Sequence, residues 1–178
     1  KLTVVSARPL PAGWSGKVWA QSQGIEAVRT LGLNADYLLL TDADIGHPPD
    51  ALAQLVVRAQ AEKRDLASLM VRLRCVSPWE QLLIPAFIYF FQMLYPFAAA
   101  NDPRSRVAAA AGGCVLVRRA RLASAGGLEA IKGEIIDDCA LARIVKRNGG
   151  RPWLGLADDS HSLRAANALD PLWAMVKR

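Results

Sequence analysis

Five short apolar runs constrain the fold of this chain more than any other feature of its sequence. They lie at residues 2–5, 37–40, 66–71, 114–117 and 153–156, and uncharged runs of this length predict buried strands. Between several of them, apolar residues recur with helical spacing, which predicts helices from Val18 to Gly32, from Pro48 to about Lys63, and over residues 137–148. This alternation of strands and helices predicts an α/β sheet.

An acidic turn directly follows the second apolar run. Thr41 ends the run, and the next residues, Asp42, Ala43 and Asp44, place two carboxylates at the carboxyl end of the predicted strand. Two carboxylates so close at the rim of a sheet suit a hard divalent cation that carries a diphosphate. The alternative is a polar turn, in which Asp is common for structural reasons.

Length, charge and cysteine content narrow the class of protein. With 178 residues the chain is long enough for a single domain with one core. Lys and Arg outnumber Asp and Glu by 22 to 16, for a net charge of +6, and they are scattered along the chain. This pattern argues against nucleic acid as a partner and favours a phosphorylated substrate or an anionic membrane surface. The three separated cysteines predict reduced thiols in a cytoplasmic setting.

The beginning of the chain predicts that it is part of something larger. No Met opens it, and the first apolar run follows Lys1 directly, as though a strand were already under way. We therefore expect residues 1–178 to form a single partial domain, an internal fragment whose sheet lacks its N-terminal strands.

An apolar insert at about residues 79–101 departs from the alternation. Residues 81–101 contain no charged side chain, and the segment approaches the length of a membrane span. Pro85 and Pro96 interrupt it, which favours a kinked helix lying at the bilayer interface over a straight span. The alternative is a helix in a soluble core. Four arginines flank the insert and suit anionic headgroups, namely Arg72, Arg74, Arg104 and Arg106.

Several motifs resemble, in order and spacing, those of family 2 glycosyltransferases with the GT-A fold. The motifs are Gly16-Lys17, Asp42-Ala43-Asp44 followed by Pro48-Pro49, Gly112-Gly113-Cys114 before a strand ending in Arg118-Arg119, Gly126-Gly127-Leu128, and Asp137-Asp138 before Leu141. The sequence from Gly13 to Ala20, together with the apolar insert, further resembles the hopene-associated glycosyltransferases of bacteria. The resemblance implies an open mixed α/β sheet with flanking helices.

The chain departs from the family pattern at several points. The family's opening strands, with part of its nucleotide site, have no counterpart here. Asp137-Asp138 stands where members often have Glu-Asp, and Cys114 stands where they often have Ser or Thr. The Gln-x-x-Arg-Trp motif of processive synthases does not occur, and the transmembrane helices expected to follow in the hopene-associated group lie outside this sequence. Processive synthesis is therefore not expected.

The resemblance also implies roles for particular residues. Asp44 is expected to bind Mg²⁺ or Mn²⁺ directly, with Asp42 as a second ligand or a contact to the sugar nucleotide, for which a UDP-sugar is the leading candidate. Asp138 is the expected catalytic base, Lys17 a ligand of the donor phosphates, and the acceptor or sugar is expected beside Asp137 and the two residues Gly112 and Gly113.

Each role has a structural alternative. Acids at a helix N-terminus, such as Asp137 and Asp138, are favoured by the helix dipole alone. Lys17 is equally well explained as a solvated surface lysine, and paired glycines often mark a simple turn. His161 is a weak candidate for a further metal ligand, and Arg118, Arg119 and Arg164 are candidate diphosphate contacts only if the fold brings them near.

The function predicted from these observations is an inverting, metal-dependent transfer of a sugar from a nucleotide donor to a lipid-like, hopanoid-related acceptor. We expect it at the cytoplasmic face of the bacterial inner membrane, with the apolar insert against the membrane surface. Two alternatives stay open: a nucleotidyltransferase that uses Asp138 as a further metal ligand, and a non-catalytic binding module associated with a membrane.

Overall fold

A computed structural model describes residues 2–165. Its centre is one five-stranded sheet with the strand order β1-β4-β3-β5-β2. The strands are β1 (Tyr37–Thr41), β2 (Ile45–Gly46), β3 (Leu66–Arg72), β4 (Cys114–Arg118) and β5 (Pro152–Ser162). Strand β4 runs antiparallel to both β1 and β3, while β5 runs parallel to β3. The sheet is therefore mixed, as predicted.

Helices cover both faces of this sheet. They are α1 (Gly16–Thr30), α2 (Ala51–Ala61), α3 (Pro78–Leu94), α4 (Phe97–Asn101), α5 (Arg119–Ser124) and α6 (Asp137–Arg147), with a short 3-10 helix at Leu128–Ile131. One face packs with α1 and α6 around Val18, Val117 and Leu141. The other packs with α2 around Leu55 and Leu116. The predicted open α/β fold with flanking helices is confirmed.

Strand direction decides where the polar loops meet. Because β1, β3 and β5 all point the same way, their carboxyl ends lie at one edge of the sheet. The antiparallel strand β4 begins at that same edge, with Cys114 directly opposite Thr41. The acidic turn after β1 and the glycine pair before β4 are therefore neighbours, although about seventy residues of chain separate them.

The predicted strand at residues 2–5 is wrong. Leu2 and Val4 are 89% and 85% exposed, and within residues 2–165 this segment has no strand partner. An apolar run becomes a strand only when a neighbouring backbone accepts its hydrogen bonds. Two helix starts also differ from prediction: α1 begins earlier, capped by the Ser15 hydroxyl, and Pro48 forms a turn before α2 begins.

The apolar insert forms α3 and α4, with a break at Tyr95 and Pro96. Ser77 and Glu80 form a capping box at the start of α3, so the helix begins at a defined residue. Pro85 lies inside α3, where it removes one backbone donor. Within the part of the chain that the structure describes, no helix is both long and apolar enough to cross a membrane. The interfacial placement stays a prediction.

Two of the four arginines that flank the insert form ion pairs within the protein. Arg74 forms an ion pair with the buried Glu80 at 2.8 Å, and Arg104 pairs with Asp102 at 3.2 Å. Arg72 and Arg106 are exposed. The predicted contact with anionic headgroups therefore rests chiefly on these last two side chains.

Candidate active site

The acidic turn is held by backbone hydrogen bonds on both sides. Ile45 donates its N–H to the Asp42 carbonyl at 3.3 Å, and Leu163 donates to the Asp44 carbonyl at 2.7 Å. The second bond ties the turn to the end of β5. Both carboxylates are half-buried and line one cleft. The turn is thus fixed by its main chain, which leaves its side chains available to the cleft.

The glycine pair forms a tight turn beside those carboxylates. Cys114 donates its N–H to the Ala111 carbonyl at 3.3 Å, which closes a turn with both glycines at its centre. Neither glycine has a positive φ, so the need for glycine here comes from space. A Cβ on Gly112 would lie 2.5 Å from the Lys17 ammonium and 3.2 Å from Asp138 Oδ2, and one on Gly113 would lie 3.0 Å from Val71.

Asp138 stands in the first turn of α6 with both carboxylate oxygens bound. Gly112 donates its N–H to Oδ2 at 2.6 Å, and Cys139 donates its own N–H to Oδ1 at 2.8 Å. Burial, together with the charge of Asp137, raises the pKa of Asp138, although the two N–H groups and Lys17 act in the opposite direction. The result is an oriented carboxylate that takes up a proton more readily than an ordinary aspartate.

Lys17 links the two acidic clusters. Its ammonium lies 3.0 Å from Asp42 Oδ1 and 3.5 Å from Asp137 Oδ2. Burial lowers the pKa of Lys17, but the combined attraction of Asp137, Asp42 and Asp138 outweighs burial and leaves that pKa raised. Lys17 therefore stays charged at neutral pH and reduces the repulsion between the carboxylates. Its predicted contact with donor phosphates stays a prediction.

The cleft joins this polar cluster to the apolar insert. It has a volume of about 300 Å³ and is lined by Asp42, Asp44 and Asp138 together with the glycine turn. The lining also includes Phe87, Ile88 and Phe91 of α3, which we call the apolar wall; the acids and the glycine turn are the polar wall. The structure therefore brings the predicted metal ligands, the predicted base and a set of hydrophobic side chains to one space.

Asp42 and Asp44 offer the oxygen donors that Mg²⁺ or Mn²⁺ prefers. Within residues 2–165, no group of three or more His, Cys, Asp and Glu side chains is arranged to hold a metal. Two carboxylates fit a cation that completes its shell with diphosphate oxygens and water, as Mg²⁺ does in phosphate sites. His161 Nδ1 lies 3.0 Å from the Asp159 carbonyl, its ring lies beside Gly46, and its side chain is not part of the cleft lining.

The model of glycosyl transferase family 21 matches residues 12–162. This chain belongs to that family. The matched segment includes the five strands and the predicted site residues from Lys17 to Asp138, whereas Arg164 lies just beyond it. It is thus a family 21 glycosyltransferase chain, and this family implies a nucleotide-sugar donor. The expected resemblance to glycosyltransferases is confirmed at the level of family 21, the family 2 label is not confirmed, and the likeness to the hopene-associated group stays a prediction.

No curated protein matches the family 21 chain. Among solved structures, it is similar to glucosyl-3-phosphoglycerate synthase from Mycobacterium tuberculosis in complex with phosphoglyceric acid. The two are 19% identical with a TM-score of 0.48, and the match covers 97% of this chain and 53% of that one. The family 21 chain therefore spans about half the length of that solved chain.

Sequence reasoning missed a set of hydroxyl and imidazole groups behind the family 21 site. Thr41 donates its hydroxyl to the Gly113 carbonyl at 2.8 Å and also contacts His47 Nε2 at 2.9 Å. His47 Nδ1 contacts the Ser160 hydroxyl at 3.0 Å. Ser68, with no exposed surface, bonds the glycine turn. The available signal for Ser68 was a lone hydroxyl within the apolar run of residues 66–71.

Two of the candidate diphosphate contacts, Arg118 and Arg119, lie away from the cleft. Arg118 and Arg119 lie at the carboxyl end of β4, the end opposite the glycine turn. Arg118 donates to the Tyr37 hydroxyl at 2.7 Å, and Arg119 donates to Asn34 Oδ1 at 2.8 Å. They brace the far edge of the sheet in this family 21 chain. Arg164, in contrast, lines the cleft.

Proposed function

We propose that this family 21 domain transfers a sugar from a UDP-sugar to a lipid-like acceptor with inversion at the anomeric carbon. One observation carries the proposal: Asp138, which is distant in sequence from Asp42 and Asp44, lines the same cleft as they do, together with apolar side chains of α3. The first two acids suit the leaving diphosphate, the third suits the attacking hydroxyl, and the wall suits a hydrocarbon. The choice of uridine rests on the resemblance of the sequence motifs.

Asp44 and Asp42 would hold the Mg²⁺ or Mn²⁺ that accompanies the donor. When bound, the cation neutralises charge that builds on the diphosphate as the bond to the sugar breaks. Asp42 is also paired with Lys17 at 3.0 Å. That pair keeps a positive charge beside the diphosphate, and Lys17 is close enough to exchange its carboxylate partner for a phosphate oxygen.

Asp138 acts as the base in this proposal. Its carboxylate takes the proton of the acceptor hydroxyl as that oxygen bonds to the anomeric carbon, while the electron pair of the broken bond leaves with UDP. A single displacement of this kind inverts the anomeric centre. Burial raises the pKa of Asp138, which makes it a stronger base than an exposed aspartate once it is ionised.

Helix α3 provides the hydrophobic side of the acceptor site. Phe87, Ile88 and Phe91 face the cleft, while the other side of the same helix is exposed. The exposed apolar side chains are Trp79, Leu82, Tyr89, Phe90, Met93 and Leu94. A lipid that enters along α3 would keep its tail in an apolar environment while its hydroxyl reaches Asp138. This favours an acceptor drawn from a membrane, with hopanoid-related lipids as candidates, at the cytoplasmic face of the bacterial inner membrane.

The test is UDP release by the full-length protein in lipid, with Asp44→Ala and Asp138→Asn beside the wild type. We expect Asp138→Asn to lower kcat about 10²–10⁴-fold, the usual contribution of a positioned base, with Mn²⁺ affinity unchanged. Asp44→Ala is expected to lose both turnover and Mn²⁺ affinity. Equal UDP release by Asp44→Ala and wild type would refute the metal role.

A nucleotidyltransferase is the alternative that the cleft itself raises, because all three acids line it. In that enzyme Asp138 would be a metal ligand, so Asp138→Asn would weaken Mn²⁺ binding and pyrophosphate would appear in place of UDP. The matched control is Glu129→Gln, which removes an exposed acid of the 3-10 helix outside the cleft. That control should alter neither property.

A further inference from the structure

Ser68 is a hydroxyl without solvent in the middle of an apolar strand. It lies in β3 with 0% exposure, directly opposite Val115 of β4. Its Oγ accepts the N–H of Ala111 at 2.8 Å and lies 3.1 Å from both the Ala111 and the Cys114 carbonyl oxygens. All of its partners belong to the glycine turn. A buried hydroxyl is retained only where its hydrogen bonds are made, so these bonds explain why a polar residue stands here.

The Ser68 hydroxyl can donate one hydrogen and accept others, and this determines how it binds the turn. A serine hydroxyl has one hydrogen, which it donates to the two carbonyls, and it accepts through its lone pairs. It therefore binds Ala111 on both sides, through the N–H and through the C=O. Since Ala111 directly precedes Gly112, these bonds tie the first residue of the turn to β3 at the centre of the sheet, where side chains are closely packed.

One peptide group connects Ser68 to Asp138. The Ala111 carbonyl, which Ser68 contacts, and the Gly112 N–H, which binds Asp138 Oδ2 at 2.6 Å, belong to the same planar unit. A peptide bond resists rotation by about 18–20 kcal/mol. When Ser68 fixes the direction of the carbonyl, it therefore also fixes the direction of the N–H that faces the carboxylate.

We propose that Ser68 is a positioning residue for Asp138, acting through the Ala111–Gly112 peptide to hold Oδ2 in the orientation that proton transfer requires. The inference rests on the proposed function, in which Asp138 is the base. Without the hydroxyl, the turn would keep its closing bond from Cys114 to Ala111 and the bond from Thr41 to Gly113. It would lose the shorter of two contacts to the Ala111 carbonyl, the 3.1 Å contact from β3, and keep the 3.3 Å bond from Cys114.

The charged and titratable groups around Asp138 predict how its pKa would change if the hydrogen bond from Gly112 were lost. Asp137 raises the pKa of Asp138, while Lys17 and the N–H groups of Cys139 and Gly112 lower it. Tyr95 of the insert and the Cys139 thiol also lie near it, and Arg143 acts on those two. Loss of the Gly112 bond alone removes one lowering influence. The pKa of Asp138 should therefore rise, and the acidic limb of the pH–rate profile should move to higher pH.

The experiment compares Ser68→Ala with wild type in the full-length protein. The first readout is the amide proton of Gly112, which a short bond to a carboxylate shifts strongly downfield and which should follow the titration of Asp138. We expect Ser68→Ala to lose that shift, to lower kcat about 10-fold with the donor KM unchanged, and to move the acidic limb upward. Ser68→Thr, which keeps the hydroxyl, should restore most of the loss.

The control is Leu122→Ala, which opens a cavity under α5 away from the cleft. It is expected to destabilise the protein at least as much as Ser68→Ala while leaving the Gly112 amide and the pH limb unchanged, so general loosening can be recognised. A Gly112 shift that persists in Ser68→Ala overturns the inference. So does an unchanged kcat in Ser68→Ala when the shift is lost and Asp138→Asn is inactive. If Asp138→Asn keeps full turnover, the proposed base is wrong, and the amide alone decides whether Ser68 positions Asp138.

Discussion

The two walls of the cleft are stabilised in different ways. On the polar wall, hydrogen bonds of 2.6–3.1 Å hold the glycine turn on two sides. Gly112 binds Asp138 of α6, while Gly113 and Ala111 bind Thr41 and Ser68 of the sheet. On the apolar wall, α3 presents Phe87 and its neighbours to the cleft and a second apolar surface to the outside. The contacts of the polar wall depend on direction, whereas those of the apolar wall do not.

This difference shows where each wall tolerates change. A hydrogen bond weakens when its partner moves away or out of line, because its strength depends on both distance and angle. Hydrophobic contact varies smoothly with area and accepts many shapes. The polar wall should therefore be intolerant of small substitutions, whereas the apolar wall should accept changes of shape but not of polarity.

Among substitutions that keep the acids of the cleft, the largest effect is expected from Gly112→Ala. The added Cβ would lie 2.5 Å from the Lys17 ammonium, which can move because it ends a flexible side chain, and 3.2 Å from Asp138 Oδ2, which must shift by a few tenths of an ångström. We expect kcat to fall by up to about 100-fold, the cost that a misplacement of 1 Å can reach. Steady-state kinetics in lipid would measure it.

Gly24→Ala is the matched control for that substitution. Gly24 lies inside α1, and a Cβ there meets nothing within 4 Å. Alanine favours a helix by about 0.5–1 kcal/mol relative to glycine, so this variant should be slightly more stable with unchanged turnover. A loss of turnover as large as that of Gly112→Ala would contradict the steric explanation.

The pH dependence should separate the two neighbours of Asp138. Activity requires the ionised base, so kcat should fall about tenfold per pH unit below the pKa of Asp138. Because Asp137 raises that pKa and Lys17 lowers it, Asp137→Asn should move the acidic limb to lower pH and Lys17→Met should move it to higher pH. Shifts of the same sign in both variants would refute this assignment.

The parts of the fold that follow from local pattern were predictable. Four apolar runs became strands, and the acids at the end of the second run lie at the sheet edge, because burial and backbone geometry depend on neighbouring residues in sequence. The run at residues 2–5 is also mostly apolar yet remains exposed. Its state depends on a partner strand, which its own sequence does not specify.

The hydrogen bonds behind the site were not predictable for a related reason. Ser68 is a partner of Ala111 only because β3 and β4 pair in one register, with Ser68 opposite Val115. A shift of one residue would turn the hydroxyl to the other face of the sheet. His47 likewise meets Ser160 only because β2 pairs with the end of β5. Long-range register, not local sequence, creates these contacts.

A smaller effect is expected from His47, which lies behind the polar wall. Thr41 gives its hydrogen to the Gly113 carbonyl, so His47 must donate from Nε2 and accept the Ser160 hydroxyl at Nδ1. His47→Ala leaves the buried Ser160 hydroxyl unpaired, which should cost about 1–3 kcal/mol of unfolding free energy. Urea denaturation would measure it. Ser160→Ala in the same chain should recover part of the loss; strict additivity of the two changes would argue against the contact.

The smallest effect on stability is expected at the exposed face of α3, where the apolar wall can be tested without disturbing the cleft. Leu82 is 64% exposed, so Leu82→Cys carrying a spin label should change the unfolding free energy by no more than about 0.5 kcal/mol. In vesicles of phosphatidylglycerol, that label should be several-fold less accessible to an aqueous nickel complex than a label at Val57→Cys. Val57 is similarly exposed, at 65%, but lies on α2.

Both labelled variants need Cys75→Ser, because Cys75 is exposed and would also take the label, whereas the other two thiols are buried. Without vesicles, access should be equal at both positions. Equal access in the presence of vesicles would mean that α3 does not rest on lipid, and the apolar wall would then serve the acceptor from within the cleft alone.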